Sequence, residues 1–363
     1  MKQKKKIFHF HPNGKLARHF ICPLIDAELK AGHNSKLIVS TRSASVTAIM
    51  MPYDLNFQNL PCLIPTFFRV YWLLLRERPD VLVSHNSKSS SILLISAWLA
   101  KIPKRVYFNH GVPYFAYQGI VKFILILLER INLYFSTHVI TVSKDMQNLL
   151  QELDEKKAIQ IIHEGSACGL DLSQYDANKY KNSTFRFDHN ITSNDFLIVF
   201  IGRPEKRKGF NLVLEMWVKY FLTKDLKLVL CGPSKFDVVK CLGFLPDNVI
   251  CLGFTNRVPE ILSQSDLFIL TSFHEGLSYA ALESMASGCI VLANNIPGVR
   301  NLITSGSNGF LVDNNNIKKY AELILKIQTN PKFYKDLIQI SALQVAEKYS
   351  RKYFLPKYLT YIV

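Results

Sequence analysis

The stretch HEGLSYAALESMASG, residues 274–288, contains two glutamates eight positions apart, Glu275 and Glu283. A continuous helix would separate them by about 12 Å along its axis, at about 1.5 Å per residue. That distance is too long for the two carboxylates to share one proton or one metal ion. The spacing instead suits two acids that bind opposite ends of one elongated ligand.

A basic turn precedes these acids in the sequence FIGRPEKRKGF, residues 200–210. An apolar strand is predicted to end at Gly202, and Arg203 and Lys208 then bracket the turn. A guanidinium fork and an ammonium point charge are suitable partners for diphosphate oxygens. Ligands of open α/β sheets bind beyond the carboxyl ends of the strands, which is where this turn falls. A solvated basic turn is the alternative interpretation.

The segment between the two glutamates is predicted to begin a helix. Ser278 is a suitable N-cap, and the amides of Gly276, Leu277 and Ser278 would point outward, as in helix-terminal anion sites. Glu283 would lie about one and a half turns into the helix, where its carboxylate can accept hydrogen bonds from a ribose diol. The predicted order along the chain is an acid, a group of amides and a second acid. This order matches the sugar, the diphosphate and the ribose of a nucleotide sugar. A surface glutamate and a chance loop glutamate are the alternative.

Several histidines lie near predicted strand ends. His9 and His11 point to the same face of the first strand, but no third ligand is evident, so no metal site is predicted. His85 either meets an acceptor or lines a pocket, and nearby Lys88 is a candidate contact for an acceptor phosphate. His274 either touches a ligand or caps a strand.

The elements that position these residues alternate between short apolar runs and longer helical stretches, which predicts parallel sheets covered by helices. The predicted strands of the first half are KKIFHFH, SKLIVST, DVLVSHN, KRVYFNH, THVITVS and AIQIIHE. Those of the second half are FLIVFIG, LKLVLCG, NVICLGF, DLFILTS, CIVLAN and GFLVD. We therefore predict an α/β protein with an N-terminal domain (1–170), a polar linker (171–193) and a C-terminal domain (194–349). A terminal helix of about residues 350–363 is expected to pack back on the first domain.

Composition narrows the class of protein. The chain has 363 residues, of which 48% are hydrophobic and 20% charged, which suits two folded domains and excludes a disordered protein. No apolar run is long enough for a secretory signal or a membrane-spanning helix. The seven cysteines form no CxxC pair and are predicted to be reduced thiols of a cytoplasmic protein.

The positive charge is concentrated in the first third of the chain. Residues 1–131 contain 18 lysines and arginines against 6 acidic residues, whereas the remainder contains 26 against 22. This asymmetry predicts an anionic partner: a membrane surface, a nucleic acid or a phosphorylated substrate. Within this region, residues 67–78 and 119–135 mix bulky apolar side chains with lysine and arginine. Such helices either lie in a membrane interface or pack as ordinary core helices.

Three stretches, GRPEKRKG, HEGLSYAALE and GCIVLANNIPGVRNLI, together resemble motifs of the nucleotide-sugar glycosyltransferases of family 4. In the first half, PDVLVSHNSKSSSILLISAWLAKIPKRVYFNHGVPY is similar to the acceptor-domain signature of members that build on polyprenyl-linked sugars. EGSACGLDLSQY is similar to the family's stretch before the linker. The resemblance implies the GT-B fold, with two facing Rossmann-like domains, parallel sheets and a deep cleft between them.

The resemblance also implies roles for the charged residues of the second half. Arg203 and Lys208 would hold the donor diphosphate, with the strand end at Gly202 beside them. Glu283 would hold the nucleotide ribose, and Glu275 would contact hydroxyls of the donor sugar.

Three residues of the first half receive roles in the same way. His110, in the sequence NHG, would contact the donor sugar or its phosphate from the first domain. Asn13 and Gly14 lie in the loop after the first strand, where the family places a glycine-containing turn near the phosphates.

The implied activity is transfer of a hexose or N-acetylhexosamine from a nucleotide sugar, expected to be a UDP-sugar, to a lipid-linked saccharide. Transfer would retain anomeric configuration and would serve bacterial polysaccharide or glycan synthesis. Fixed cations and helix N-termini can stabilise a leaving diphosphate, and the chain has no Asp-x-Asp motif, so no metal or other cofactor is expected. The protein would be cytoplasmic and peripheral on the inner face of the cytoplasmic membrane.

Three alternatives stay open at this point. GT-B folds also house UDP-sugar epimerases, which act on soluble substrates and need no membrane-facing domain. A degenerate transferase could act as a non-enzymatic assembly partner, although the intact charged residues argue against it. A nucleic-acid binder is suggested by charge alone, and no recognition motif supports it, so no nucleic-acid partner is predicted.

Overall fold

The computed structural model describes residues 3–40, 48–50, 63–222, 225–330 and 334–363. It divides into two compact units. Unit 1 contains Met1–Gly169 and Arg351–Val363, and unit 2 contains Leu170–Ser350. Cys62 lies outside the described residues, and the other six cysteines are free thiols.

Each unit is built on one parallel sheet. The described strands of unit 1 are β1 (Lys6–Phe10), β2 (Asn34–Val39), β3 (Ala48–Met50), β4 (Val81–Ser84), β5 (Lys104–Asn109), β6 (His138–Thr141) and β7 (Ile159–Ile161). Those of unit 2 are β8 (Phe196–Ile201), β9 (Leu226–Cys231), β10 (Val249–Gly253), β11 (Leu267–Leu270), β12 (Ile290–Asn294) and β13 (Phe310–Val312). Their order is β3-β2-β1-β4-β5-β6-β7 in unit 1 and β10-β9-β8-β11-β12-β13 in unit 2. The twelve predicted strands are all present, and β3 is the one described strand that was not predicted.

Helices connect the strands and cover the sheets. The described α-helices are α1 (Gly14–Phe20), α2 (Cys22–Lys30), α3 (Leu63–Glu77), α4 (Ser87–Leu99), α5 (Gly119–Phe135), α6 (Lys144–Gln151), α7 (Phe185–Asp188), α8 (Phe210–Tyr220), α9 (Lys235–Leu242), α10 (Val258–Ser263), α11 (Tyr279–Ala286), α12 (Ile317–Thr329), α13 (Lys335–Lys348) and α14 (Arg351–Ile362). Central strands such as β4 and β11 are buried along their whole length, because helices cover both faces of a parallel sheet. Within the described ranges, no helix combines the length and apolar character needed to cross a bilayer.

The stretch 171–193, expected to be a polar linker, is instead part of unit 2. Three of its apolar side chains, Tyr175, Phe185 and Ile191, are buried in the core of that unit. Burial of these three anchors holds an otherwise polar segment against the second sheet. The final helix, α14, belongs to unit 1, where Phe354 and Tyr358 are buried.

Candidate active site

The basic turn and the first glutamate form one charged cluster in unit 2. After β8, a single turn of 3₁₀ helix, Lys206–Lys208, carries three cations. Lys208 Nζ donates to Glu275 Oε1 at 2.6 Å, and Arg207 Nη1 lies 3.8 Å from Glu275 Oε2. The Glu275 side chain is only 10% exposed, so water screens this ion pair less than it screens a surface pair. The structure thus brings together Lys208 and Glu275, two of the residues predicted from the sequence.

Gly209 fixes the course of the turn that carries Lys208. Its φ of 69° lies in the left-handed region, and a Cβ at this position would overlap the backbone oxygen of Thr271. Thr271 Oγ1 in turn lies 3.2 Å from the carbonyl oxygen of Lys208 and 3.0 Å from that of Gly209. This contact with the residue that follows β11 places Lys208 beside the loop that carries Glu275.

Arg203 lies apart from the cluster, and a neighbouring arginine replaces it there. The Arg203 guanidinium pairs with Glu205 at 2.7 Å, and its side chain is 67% exposed. Arg207 instead faces Glu275, and its Nη1 also donates to the backbone oxygen of His274 at 3.2 Å. Burial lowers the pKa of His274, against the raising effect of the Glu275 carboxylate. The imidazole is therefore neutral at neutral pH, and the local positive charge comes from Lys208 and Arg207.

Glu283 has a different environment from Glu275. It lies on α11, five residues after the N-cap Ser278, and it is partly exposed. Burial raises the pKa of its carboxyl to about 7, and a hydrogen bond from Tyr175 opposes that shift. The group is thus divided between protonated and ionised forms near neutral pH. It can accept hydrogen bonds from ligand hydroxyls without competing with an ion-pair partner of the kind Glu275 has.

The loop between the two acids is held by a second turn of the chain. Gly298 has a φ of 78°, and a Cβ there would lie 2.5 Å from the backbone oxygen of Glu275 and 2.6 Å from that of Gly276. The Ser278 amide donates to the Gly298 oxygen at 3.2 Å, and the Leu277 side chain packs on the core of unit 2. Of the three amides predicted to face an anion, that of Ser278 therefore already has a partner within the protein.

His110 lies at one end of a buried chain of side chains in unit 1. His110 Nε2 is 2.9 Å from His85 Nδ1, and His85 Nε2 is 2.8 Å from His9 Nδ1. His9 Nε2 lies 3.0 Å from Glu28 Oε2. Burial lowers the pKa of His110 to about 3. Both ring nitrogens of His85, which was predicted to meet an acceptor or line a pocket, are thus in contact with other histidines.

The remaining predicted residues of unit 1 lie at helix starts. Asn13 Oδ1 accepts from the Leu16 amide at 3.2 Å, and Gly14 is the first residue of α1. Lys88 lies in the first turn of α4, with its ammonium 5.6 Å from the centre of the Tyr117 ring. This cation–π contact holds the Lys88 side chain against an aromatic neighbour.

The two histidines considered as a metal pair have other partners. His9 lies between Glu28 and His85, whereas His11 Nδ1 accepts from the Asn13 amide at 3.0 Å. In the part of the chain that the structure describes, no group of three or more histidine, cysteine or acidic side chains is arranged to hold a metal ion.

Helix α5 buries two polar residues and exposes many of its apolar ones. Glu129 and Asn132 are fully buried, and Tyr107 Oη donates to Glu129 Oε2 at 2.7 Å. On the opposite side, Ile120 is 71% and Phe123 63% exposed. One side of α5 packs on unit 1 and also buries Leu125 and Leu133, as an ordinary core helix would, whereas the other side leaves large apolar side chains exposed.

Helix α3 also presents an apolar stripe to solvent. Ile64, Phe68 and Trp72 are exposed, and their spacing of four residues places them on one side of the helix. Arg69 and Arg76 are exposed on the same helix, as are Lys122 and Arg130 on α5. Both helices pack against α4. Unit 1 therefore carries two helices that combine exposed apolar side chains with positive charge.

Four residues with structural roles at these sites were not identified from the sequence: Arg207, Tyr175, Gly298 and Glu28. Arg207 and Gly298 lie inside the motifs RPEKRKG and NNIPGVRNLI, and Tyr175 ends DLSQY, so the motifs contained a signal without indicating which members face the acids. Glu28 lies in no motif. Its partnership with His9 joins β1 to α2, and sequence spacing does not reveal a contact of that kind.

Comparison with known proteins adds independent information. Residues 19–166 match the family model Glycosyltransferase Family 4, and residues 181–344 match the family model Glycosyl transferases group 1. The UDP-Gal:alpha-D-GlcNAc-diphosphoundecaprenol alpha-1,3-galactosyltransferase of Escherichia coli is 26% identical over 299 residues, which are 78% of this chain and 75% of the relative.

A second relative spans nearly the whole chain. The N,N'-diacetylbacillosaminyl-diphospho-undecaprenol alpha-1,3-N-acetylgalactosaminyltransferase of Campylobacter jejuni is 24% identical over 362 residues, 94% of both chains. Among solved structures, Anabaena HepE in complex with UDP-glucose superposes with a TM-score of 0.81 at 16% identity, covering 98% of this chain and 99% of HepE. The predicted GT-B fold is confirmed by this likeness. The two family models lie in tandem over most of the chain, which therefore belongs to the glycosyltransferases that combine a family 4 domain with a group 1 domain.

Proposed function

We propose that this glycosyltransferase moves a hexose or N-acetylhexosamine from a UDP-sugar to a lipid-linked saccharide, with retention of anomeric configuration, during polysaccharide or glycan synthesis. The observation that carries the proposal is the contact between Lys208 and Glu275 beyond the ends of β8 and β11. In the proposed reaction, Lys208 is the cation that meets the diphosphate, and its neighbour Glu275 is the acid that meets sugar hydroxyls. The names of the two relatives, which include diphosphoundecaprenol acceptors, support the lipid-linked acceptor.

The chemistry of the donor end follows from charge. Cleavage of the bond between the sugar and the diphosphate builds negative charge on the leaving nucleotide. Lys208 and Arg207 lie in a partly buried cluster, where fixed cations stabilise developing charge more strongly than they do in bulk water. Exposed Arg203 adds attraction for the incoming anion. The proposed mechanism requires no metal ion, so addition of a chelator should leave turnover unchanged.

The two glutamates have separate roles in this proposal. Glu275 orients Lys208 through the 2.6 Å contact and accepts hydrogen bonds from donor-sugar hydroxyls. Glu283 accepts hydrogen bonds from the ribose diol, and the first turn of α11, next to Gly276, Leu277 and Ser278, faces the diphosphate. His110 contacts the donor sugar, whereas Asn13 and Gly14 lie near its phosphates. Lys88 serves the acceptor phosphate.

We also propose that α3 and α5 hold unit 1 on an anionic membrane surface on its cytoplasmic side. Ile120 and Phe123 of α5 and Trp72 of α3 would enter the interface, and the neighbouring lysines and arginines would meet anionic headgroups. The buried hydrogen bonds of Glu129 fix the orientation of α5, so that these apolar side chains stay on the outer side. A peripheral enzyme placed this way would reach an acceptor whose lipid is embedded in the membrane.

The first experiment is thermal unfolding of the purified protein with UDP, GDP, ADP, CMP or no nucleotide. A ligand that binds only the folded state raises the melting temperature, and we expect a shift with UDP. Labelled UDP-sugars should then transfer their sugar to a polyprenyl-diphosphate-linked saccharide in detergent. A nucleotide shift without transfer, but with isomerisation of the free UDP-sugar, would indicate an epimerase. No shift with any nucleotide would favour an assembly partner.

The membrane proposal is tested by co-sedimentation with vesicles. We expect the protein to bind vesicles rich in anionic phospholipid, to bind neutral vesicles weakly and to be released by salt. Replacing Ile120 and Phe123 together by Ser should weaken binding at least about tenfold, because each buried apolar side chain contributes about 1.5–3 kcal/mol. Phe254→Ser is the control, since Phe254 is an even more exposed aromatic residue and lies in unit 2. Equal binding by all three proteins would overturn the assignment of this face.

A further inference from the structure

Three histidines at the ends of adjacent strands form a continuous hydrogen-bonded chain in unit 1. His9 lies in β1, His85 directly follows β4 and His110 directly follows β5, and these strands are neighbours in the sheet. The carboxyl ends of parallel strands meet at one edge, so the topology itself brings the imidazoles together. Phe108 stacks on His110 at a centroid distance of 4.8 Å and limits its rotation.

The far end of the chain is a buried carboxylate. Glu28 on α2 is fully buried and lies 3.1 and 3.0 Å from His9 Nε2 through its two oxygens. Tyr358 on α14 donates its hydroxyl proton to Glu28 Oε1 at 2.8 Å. Burial alone would raise the pKa of Glu28, but the electrostatic effect of His9 and hydrogen bonds with His9, Ser35 and Tyr358 together outweigh burial and lower it. Glu28 is therefore ionised at neutral pH and can only accept hydrogen bonds.

An acceptor at one end fixes the direction of every hydrogen bond in the chain. When each imidazole carries one proton, His9 must use it at Nε2 to reach Glu28, so His9 Nδ1 is an acceptor. His85 then donates from Nε2 to His9 and accepts at Nδ1. His110 must donate from Nε2 to His85, which leaves His110 Nδ1 with a lone pair. Burial lowers the pKa of His85 and His110, which keeps these two rings neutral.

We propose that Glu28, acting through His9 and His85, is a positioning residue that fixes the tautomer of His110 and makes its Nδ1 a hydrogen-bond acceptor for a ligand hydroxyl. The identification of this ligand as a sugar rests on the proposed function. The tautomer itself does not, because it follows from contacts within unit 1. The neutral acceptor distinguishes His110 from a cationic phosphate ligand and assigns it to hydroxyl recognition.

The test is nitrogen-15 NMR of the full-length protein with labelled histidine, at about pH 8, above the ordinary imidazole range. Long-range proton–nitrogen correlation shows which ring nitrogen carries the proton, and His110→Gln identifies the His110 signals by their loss. We expect wild-type His110 to be protonated at Nε2 and unprotonated at Nδ1. A proton on Nδ1 in the wild type would overturn the proposal without any variant.

Glu28→Gln then tests the cause. A carboxamide can donate to His9 Nε2, which a carboxylate cannot, so the fixed direction is lost and His110 protonated at Nδ1 should appear. Glu129→Gln is the matched control, because Glu129 is an equally buried acid of unit 1 that contacts Ser87 and Tyr107 and no histidine among its described partners. Its His110 signals should match the wild type. Identical His110 signals in Glu28→Gln and the wild type would show that Glu28 does not set the tautomer.

The functional consequence is measured separately as kcat/KM for the donor. Glu28→Gln should reduce it about ten- to hundredfold, by analogy with the loss of a residue that orients a metal-ligating histidine, whereas Glu129→Gln should not. If the tautomer changes and donor turnover does not, the positioning role is overturned while the transferase stands. If the wild type shows the expected tautomer but has no transferase activity, the proposed function fails while the tautomer assignment stands.

Discussion

Each unit of this protein contains two glutamates of interest. In both units, one glutamate contacts a nitrogen of a basic side chain and the other contacts hydroxyl groups. In unit 2, Glu275 pairs with Lys208, and Glu283 has a hydroxyl partner and a pKa raised to about 7 by burial. In unit 1, Glu28 pairs with His9, and Glu129 has hydroxyl partners and a pKa that burial likewise raises to about 7. One acid of each unit therefore has a nitrogen partner, and burial raises the pKa of the other to about 7.

The two units differ in how accessible these acids are. Glu28 and Glu129 are 0% exposed, whereas Glu275 keeps 8% exposure and Glu283 is partly exposed. A fully buried acid can act only through the side chains around it, while an accessible acid can meet a ligand directly. We therefore expect substitutions at the acids of unit 2 to change catalysis and ligand binding. Glu129 should change only stability, and Glu28 should act through His110.

The largest effect is expected from Lys208→Ala. Loss of one fixed donor at a site of developing negative charge typically lowers kcat about 10²–10³-fold. The affinity for UDP should fall much less, because the charge on the leaving group is larger in the transition state than in the ground state. Steady-state kinetics and a separate titration with UDP measure the two effects.

Lys206→Ala is the control for this substitution, since Lys206 is exposed on the same 3₁₀ turn as Lys208. It removes the same charge from the same turn and should leave kcat within a few-fold of the wild type. If Lys208→Ala lowers kcat and UDP affinity by equal factors, Lys208 has a binding role only. If it lowers only the melting temperature, the contrast between the two units fails.

The second effect is on stability and concerns Glu129→Gln. Burial raises the folded-state pKa of Glu129 to about 7, above the 4.5 of an unperturbed glutamate, so the folded protein keeps a proton that the unfolded chain releases between these pH values. Stability is therefore lost as pH rises from about 4.5 to 7, by up to about 3 kcal/mol for this group. Gln cannot ionise, so the variant should lose less stability between pH 5 and 8. Urea unfolding at several pH values measures the difference.

Glu77→Gln provides the control of opposite sign. The Lys6 side chain, followed by other nearby cations, lowers the pKa of Glu77 on α3. The Glu77 carboxylate thus stabilises the fold above the unfolded pKa, and its loss should not flatten the decline toward pH 8. If the free energy of unfolding of Glu129→Gln depends on pH as that of the wild type does, Glu129 is not the group that titrates. A large loss of kcat in that variant would place Glu129 in the site and break the contrast.

Most of the fold could be predicted because the strands are short apolar runs bounded by polar turns, as in DLFILTS. β3 was not predicted, although β7 and β13, which are equally short, were. The stretch ARHFICPLIDAELKAG, which reads as one helical segment, is two helices that meet at Ile21. Pro23 lies in the first turn of α2, where its missing N–H does no harm, whereas inside one long helix it would remove a hydrogen bond.

The candidate site was partly predictable for a related reason. Lys208 and Glu275 follow β8 and β11, which are neighbours in the sheet, so their contact follows from the topology of an α/β fold. The partners of Glu28 and Glu129 come from distant elements, and no spacing along the chain identifies them. The inward polar residues of α5 were equally hidden, because a sequence rich in both apolar and polar residues does not state which side faces the sheet.

The smallest effect, and the sharpest test of ligand contact, concerns Glu283. We expect Glu283→Ala to weaken UDP binding about tenfold, because removing a hydrogen-bonding carboxylate from a ligand diol costs about 1.5 kcal/mol. Isothermal titration of UDP into wild type and variant measures it. The control is Glu215→Ala. Glu215 lies on another helix, α8, so we expect no change in UDP affinity. Unchanged UDP affinity in Glu283→Ala would remove Glu283 from the nucleotide site.

The pKa of Glu283 adds a pH dependence that a structural acid would lack. Ribose hydroxyls donate to the ionised carboxylate, and the pKa of free Glu283 is about 7, so binding must displace a proton at lower pH. The affinity for UDP should therefore rise as pH increases from about 6 to 8, by up to about tenfold. UDP itself also titrates in this range. The pH dependence measured with Glu283→Gln gives the contribution of UDP, because the Gln side chain cannot ionise. Equal pH profiles for Glu283→Gln and wild type would mean that the carboxylate does not bind the nucleotide, and Glu283 would then resemble the buried acid Glu129.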